Sequence, residues 1–269
     1  MTVFFVALVL AVFPAQALAA PPDVTTIVKQ MKEVFEPVRP STRKVMISMS
    51  AEGEKVQWVA GEARKEFPDG KRIVMVMLEL AELKGMGYVI AEPKNQPSRV
   101  WTYSPAIRRV RELVPVDAYE HFLGTDFTYA DLGFVRVHEQ YRLLGEEQHA
   151  GVQAYKIEEQ VPQARAYYSR LTTWVAADSL LPLQRDYYDA AGQLWKTELF
   201  EQVSVIDGVP TPLHITMKDL QGKSSTELTI SEVRYDVEIP DTIFDPDRLS
   251  QVAAHPLWQG YSSQAAKKN

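Results

Sequence analysis

The 269-residue chain contains no cysteine, so neither disulfide bonds nor thiolate metal sites can stabilise it. Its stability must come from burial of a hydrophobic core, which a chain of this length can supply. An excess of positive charge is also missing, since 29 basic and 35 acidic residues give a net charge of −6 with both signs interspersed. This balance argues against broad nucleic-acid binding, and we expect no nucleic-acid partner.

Long hydrophobic runs are missing as well. Residues 3–13 form an apolar run that is too short to span a bilayer core of about 30 Å. Pro14 ends the run, and Ala-Leu-Ala at 17–19 has the small-residue pattern of a signal-peptidase site. We therefore expect residues 1–20 to be a cleaved signal peptide, with an N-terminal membrane anchor as the alternative. With no cysteine after the run, we do not expect a lipid-modified lipoprotein.

Hydrophobic periodicity divides the rest of the chain into one helix and many strands. Residues 23–35 carry apolar side chains at helical spacing, with Asp23 as a suitable N-cap. From residue 41 the period changes to two, which is typical of half-buried strands. A second, short helix is predicted over residues 118–123. Strands are predicted at 42–50, 56–67, 71–80, 87–91, 99–103, 135–144, 152–160, 167–176, 181–188, 194–205, 214–220 and 226–235.

Turn signals rich in glycine and aspartate separate these strands, beginning with Pro-Asp-Gly at 68–70. Many strands at regular spacing with short turns indicate an antiparallel meander that is closed or nearly closed. Since no linker or internal repeat divides the chain, we expect a single domain over residues 21–249. The polar residues 250–269 are predicted to form a loosely ordered tail.

An ordered set of short motifs runs from about residue 80 to residue 249. The motifs are KGMG at 84–87, VWTYSPA at 100–106, RRVR at 108–111, FLGTDFTYADL at 122–132, YSR at 168–170, LPL at 181–183, YYDAAG at 187–192, IDGVPTP at 206–212 and IPDTIF at 239–244. In order and spacing they resemble the LolA-like family of periplasmic outer-membrane lipoprotein-sorting proteins.

The resemblance implies a mainly β fold with a few helices, in which an incomplete antiparallel β-barrel and a helical lid surround an apolar cavity. It also implies a periplasmic carrier that binds lipid or lipoprotein acyl chains and works with an RND-type inner-membrane transporter. We expect a monomer that needs no cofactor. The alternative is a non-enzymatic adaptor or structural subunit of an RND-type exporter, with a filled core and no lipid cargo.

Four methionines are the first candidates for contact with such a cargo. Acyl chains require apolar area, at about 0.8 kcal/mol for each buried CH₂, and flexible methionines adapt to varied apolar ligands. Met46, Met49, Met75 and Met77 fit that role, although they suit an ordinary core equally well. The predicted strand at 71–80 is apolar on both faces, so both must be covered. The helix at 23–35 could cover one face, either as a lid or as a plain core helix.

The other candidates come from two of the motifs. They are Trp101, Tyr103, Arg108, Arg109, Arg111, Asp126 and Phe127. Strand alternation places Arg109 and Arg111 on one face and Arg108 on the other. Our hypothesis is that the arginines form a basic rim beside the turn at 124–127. Asp126 would hold one arginine, and the others would meet an anionic headgroup or an acidic partner.

A purely structural role for these residues is the alternative to this hypothesis. The arginines could be a solvated strand face or pair structurally with Asp126 or Asp131. Asp126 also suits the capping of a tight turn.

An enzyme is the competing functional class. The chain has five histidines, at 121, 138, 149, 214 and 255, and none belongs to an HExxH or similar ligand-spaced motif. The close pair formed by His121 and Asp126 lacks an accompanying GxSxG nucleophile motif. We therefore expect no catalytic residues and no metal site.

Overall fold

The computed structural model describes residues 23–114, 118–135, 140–161 and 167–261. The expected signal peptide at 1–20 lies outside the described residues. Within these ranges there are two α-helices, α1 at Val24–Phe35 and α2 at Leu249–Val252. The strands are β1 Ser41–Ala51, β2 Glu54–Phe67, β3 Gly70–Met77, β4 Gly87–Pro93, β5 Arg99–Ser104, β6 Arg109–Leu113, β7 Gln140–His149, β8 Val152–Gln160, β9 Arg170–Ala176, β10 Pro182–Tyr188, β11 Leu194–Ile206, β12 Val209–Asp219 and β13 Ser224–Tyr235.

Helix α1 matches the predicted helix at 23–35. The Asp23 carboxylate accepts a hydrogen bond from the backbone N–H of Thr26 at 3.3 Å, which satisfies one of the free donors of the first turn. Ile27, Val28 and Met31 are buried, so the helix packs through one apolar face.

The strands form one antiparallel sheet in the order β6-β5-β4-β3-β2-β1-β13-β12-β11-β10-β9-β8-β7. Pairing of β1 with β13 joins two meanders, one running outward to β6 and the other to β7. These two edge strands do not pair with each other, so the sheet remains open. The predicted fold class, an incomplete antiparallel barrel, is confirmed.

The two faces of the sheet bury different clusters because side chains alternate along each strand. We define the inner face as the face that carries Val45, Ile47 and Met75, which belong to the main core. The outer face carries Val74 and Val76. Strand β3 is thus buried on both sides, as its two-faced apolar sequence predicted.

The outer face is covered by the C-terminal segment, which we predicted to be loosely ordered from residue 250. That prediction is wrong for residues 250–261. Trp258 and Tyr261 are buried, and the Tyr261 hydroxyl donates a hydrogen bond to Thr42 Oγ1 at 3.2 Å. The segment packs through two aromatic side chains and not through a continuous apolar face, so its sequence shows no apolar periodicity that would predict this packing. Residues 262–269 lie outside the described part of the chain.

Several boundaries also differ from the prediction. Strand β6 was missed, and residues 118–123 contain only the start of a 3₁₀ turn, Phe122–Gly124. Of the predicted strand at 135–144, residues 136–139 lie outside the described part of the chain, and β7 is described from Gln140, where it forms an edge hairpin with β8.

Strand β12 begins at Val209, five residues before the predicted start. Pro210 and Pro212 pair with β11 there, while pairing of β12 with β13 starts only at His214. This part of β12 pairs with one neighbouring strand only. Proline is tolerated there because no second strand requires its missing N–H donor.

Candidate functional site

A cavity of about 770 Å³ lies between the inner face of the sheet, helix α1 and residues 118–135. Most of its wall is apolar. Apolar side chains that line it include Val28, Met31, Phe35, Val45, Ile47, Met75, Phe122, Phe127, Phe134, Ile157, Val161, Leu171, Phe200, Ile215, Leu228 and Ile230.

The centre of this wall is set by strand register. Leu228 of β13 stands directly opposite Ile47 of β1 on one side and Ile215 of β12 on the other. Because paired residues in neighbouring strands point to the same face, these side chains form a continuous apolar band across three strands. We call Ile47, Leu228 and Ile215 the apolar band.

Helix α1 closes one side of the cavity, as the lid interpretation requires. Val28, Met31 and Phe35 face the cavity, and the Phe35 ring packs edge-on against Phe200 with 5.3 Å between centroids. From the same helix, Lys32 Nζ donates to the Tyr141 hydroxyl at 2.9 Å, and both residues line the cavity.

Residues 118–135 close another side, and Asp126 fixes them to the sheet. The Asp126 carboxylate accepts hydrogen bonds from Ser224 Oγ at 2.5 Å and Thr226 Oγ1 at 2.7 Å. Its backbone carbonyl accepts one from the buried Lys196 Nζ at 2.7 Å. Asp126 therefore anchors the turn, and Phe127 next to it reaches the cavity wall.

One end of the cavity is charged rather than apolar. Cross-strand pairing places Arg43 opposite Glu62 and Lys71 opposite Glu92. Glu62 accepts a hydrogen bond from Arg64 Nε at 2.6 Å and lies 3.3 Å from Arg43 Nε. We call Arg43, Glu62, Arg64, Lys71, Glu92 and Glu36 the charged end; all six line the cavity.

Glu36 connects the charged end to α1, at whose C-terminus it lies. Its carboxylate is 2.6 Å from Lys71 Nζ and 3.6 Å from an Arg64 guanidinium nitrogen. Burial alone would raise the pKa of Glu36, but the charges of Lys71 and Arg64 outweigh it and lower the pKa to about 2. The ionised carboxylate therefore ties the end of α1 to the sheet at neutral pH.

A second buried ion pair lies elsewhere in the cavity wall. Arg185 stands opposite Glu198, and their closest charged atoms are 3.3 Å apart. The Tyr187 hydroxyl donates to Glu198 Oε2 at 2.7 Å. Burial raises the pKa of Glu198 to about 7, although Arg185 and the hydrogen bond from Tyr187 act in the opposite direction.

This raised pKa predicts a pH dependence of stability. The folded protein holds the Glu198 proton up to about pH 7, whereas the carboxyl of the unfolded chain loses it near 4.5. Between these values the folded state binds more protons, so stability falls as pH rises. Glu198→Gln should remove this slope, and the wild type should lose stability relative to the variant between about pH 4.5 and 7.

Melting temperatures of both proteins across that range test the prediction. Glu201→Gln, an exposed glutamate change on the same strand, is the control and should leave the wild-type slope unchanged. Parallel profiles for the wild type and Glu198→Gln would show that Glu198 does not titrate there.

The structure distributes the predicted methionines and aromatics over both faces. Met75 and Phe127 line the cavity. Met77 and Met49 belong to the main core or pack against it, without lining the cavity. The register places Met46 between Val45 and Ile47 and hence on the outer face.

Trp101 and Tyr103 pack against the outer-face cluster beneath the C-terminal segment. The WTY motif therefore contributes to stability on that face and does not line the cavity.

The predicted arginines lie outside the cavity wall. Arg109 and Arg111 are exposed on the edge strand β6, Arg108 is exposed in the preceding turn, and none of the three lines the cavity. The hydrogen-bond partners described for the Asp126 carboxylate come from β13, and no arginine is among them. The solvated-face interpretation fits the arginines, and the turn-anchoring interpretation fits Asp126.

The charged end was missed by the sequence analysis. A usable signal existed, since Arg43, Val45 and Ile47 alternate on one face of β1, as Ala60, Glu62 and Arg64 do on β2. Charged residues in phase with buried apolar residues indicate inward-facing charge.

No group of three or more metal-ligating side chains occurs within the described ranges. No helix in the described part of the chain is long and apolar enough to cross a bilayer. His121 contacts the carbonyl of Thr125 at 2.6 Å and the Tyr167 hydroxyl at 2.7 Å, so its ring nitrogens are engaged in local structure.

Comparisons with known proteins agree with this architecture. A family model described as an uncharacterized protein matches residues 69–251. A DUF1329 family protein from Desulfovibrio piger is 26% identical with a TM-score of 0.76, covering 83% of this chain and 96% of its own. No curated protein sequence matches.

Two further solved structures share the fold. A putative outer membrane lipoprotein-sorting protein domain from Vibrio parahaemolyticus is 20% identical with a TM-score of 0.76, covering 84% of this chain and 97% of its own. A LolA superfamily protein from Nitrosomonas europaea is 20% identical with a TM-score of 0.65, covering 84% and 99%.

Proposed function

We propose that this chain, which matches a family model over residues 69–251 and shares the fold of the LolA superfamily and lipoprotein-sorting structures, is a monomeric periplasmic carrier that holds lipid or lipoprotein acyl chains in its cavity. In this proposal the signal peptide directs export, and the carrier exchanges its cargo with an RND-type inner-membrane transporter. The protein then acts by binding and release and performs no catalysis.

The cavity is the observation that supports this proposal. Its volume of about 770 Å³ lies within the range of roughly 300–1,000 Å³ that is typical of small-molecule sites. The apolar band gives an acyl chain the non-directional contact area that it requires. The alternative function, an exporter adaptor without cargo, calls for a filled core, and the cavity favours the carrier.

Co-purifying lipid provides the direct test. The mature protein, isolated from its native periplasm, is extracted with organic solvent, and the extract is analysed by mass spectrometry. We expect an acyl lipid in near-stoichiometric amount with the protein peak and little in the adjacent column fractions. A lipid-free protein that also fails to bind a fluorescent fatty acid at micromolar concentration would contradict the carrier and support the adaptor.

A further inference from the structure

The cavity is amphipathic along a single strand. Arg43, Val45 and Ile47 alternate on the inner face of β1 and all line the cavity. At about 3.3 Å per residue, the backbone positions of Arg43 and Ile47 are about 13 Å apart. A guanidinium therefore lies within the reach of a molecule whose chain rests on the apolar band.

The cations of the charged end are not equally neutralised. Arg64 and Lys71 each have a carboxylate oxygen at 2.6 Å, from Glu62 and Glu36 respectively. Arg43 has one ionic contact among the described residues, at 3.3 Å, and its partner Glu62 is already held more closely by Arg64. Arg43 therefore shares its carboxylate with Arg64 and is the less closely paired of the two cations.

The Nε of Arg43 also forms no hydrogen bond within the described part of the chain, although Glu62 Oε1 lies 3.3 Å away. This nitrogen is buried, and the side chain is 12% exposed. Burial and the neighbouring Arg64 charge lower the pKa of Arg43, while the charge of Glu62 acts in the opposite direction without outweighing them. A buried donor without a partner destabilises the folded protein, so a bound acceptor would relieve that cost.

We propose that Arg43 is an anion-recognition residue in the cavity, and that the preferred cargo is an amphiphile whose headgroup carries a phosphate or carboxylate. The guanidinium fork matches the geometry of these groups and can donate two parallel hydrogen bonds to them. The inference rests on the proposed carrier function and names the chemical class of its cargo. Arg64 and Lys71 stay paired with their own carboxylates, Glu62 and Glu36.

A displacement assay separates the two parts of the cargo. The uncharged fluorescent probe N-phenyl-1-naphthylamine is bound to the purified protein and displaced with dodecyl phosphate or dodecanol below their micelle-forming concentrations. The two compounds share one chain and differ in headgroup charge. We expect dodecyl phosphate to displace the probe at a concentration at least about tenfold lower than dodecanol.

Variants assign the preference to Arg43. Arg43→Gln should bring the two half-displacement concentrations together, while leaving the closer Arg64–Glu62 pair in place. Arg109→Gln is the matched control, because it removes the same charge from an exposed edge strand outside the cavity, and it should keep the wild-type preference. Arg43→Lys keeps the charge without the fork and should show an intermediate preference.

The outcomes distinguish the possible errors. Equal displacement of the probe from the wild type by both compounds would overturn the anionic-cargo inference but leave the carrier function intact. Failure of both compounds and of the probe to bind would overturn both. A preference that survives in Arg43→Gln would remove the assignment to Arg43.

Inorganic phosphate identifies the source of the anion. It should neither displace the probe nor change the melting temperature at millimolar concentration. If it raises the melting temperature of the wild type but not of Arg43→Gln, while both dodecyl compounds displace equally, the site binds free phosphate and the amphiphile proposal is wrong.

Discussion

Trp258→Ala is expected to lower the free energy of unfolding by about 3–5 kcal/mol, which is the usual cost of truncating a buried tryptophan. The indole packs onto the backbone at Gly61, where a Cβ would lie 2.5 Å from Cε3 of the ring. The ring therefore occupies the space that a side chain at 61 would need. Its Nε1 donates to the Val252 carbonyl at 2.7 Å, which fixes α2 to the same anchor.

Urea unfolding followed by circular dichroism measures this loss. Gln259→Ala, an exposed change next to the anchor, should stay within about 0.5 kcal/mol of the wild type. Gly61→Val supplies an independent check from the other side of the contact, since its side chain would collide with the indole. A loss below about 1 kcal/mol for Trp258→Ala would show that the C-terminal segment is not part of the stable core.

Leu228→Trp is expected to weaken binding of N-phenyl-1-naphthylamine by at least about tenfold, because the larger side chain fills the centre of the apolar band. Leu228 lines the cavity between Ile47 and Ile215, and the cavity offers the indole space that a filled core would not. The free energy of unfolding should therefore fall by less than the roughly 1–3 kcal/mol that is typical of overpacking a filled core.

The control is Leu220→Trp, the same substitution at an exposed position that does not line the cavity. It should bind the probe as the wild type does. Fluorescence titration measures the affinity, and the melting temperature confirms that both variants are folded. If Leu228→Trp stays folded and binds the probe with wild-type affinity, the probe binds outside the cavity, and the proposed cargo site is misplaced.

Much of the architecture could be predicted from the sequence because it depends on local spacing. The apolar positions of α1 recur within one or two helical turns, and the N-cap Asp23 accepts a hydrogen bond from Thr26, three residues further along the chain. Strands such as β8, Val152–Gln160, follow from alternation that begins after the turn at Gly151. Ordered motifs over residues 80–249 carried the family resemblance, and the open antiparallel sheet confirms the fold that it implied.

The candidate site was less predictable because it depends on pairing between distant segments. The RRVR motif stood out in the sequence, yet β6 is an edge strand and leaves Arg109 and Arg111 exposed. Arg43 was not among the predicted site residues, although strand register places it opposite Glu62 inside the cavity.

Two contacts show where the information lies. Alternation along β1 determined that Arg43 shares a face with Val45 and Ile47, but alternation alone does not determine whether that face is exposed to solvent or buried. Similarly, nothing near Trp258 indicates that its indole replaces a side chain at Gly61, almost two hundred residues away in sequence. Local sequence determined the elements and their faces, because spacing acts between near neighbours. Only the tertiary structure decided which faces meet, since charge pairing and close packing depend on residues that the folded sheet alone brings together.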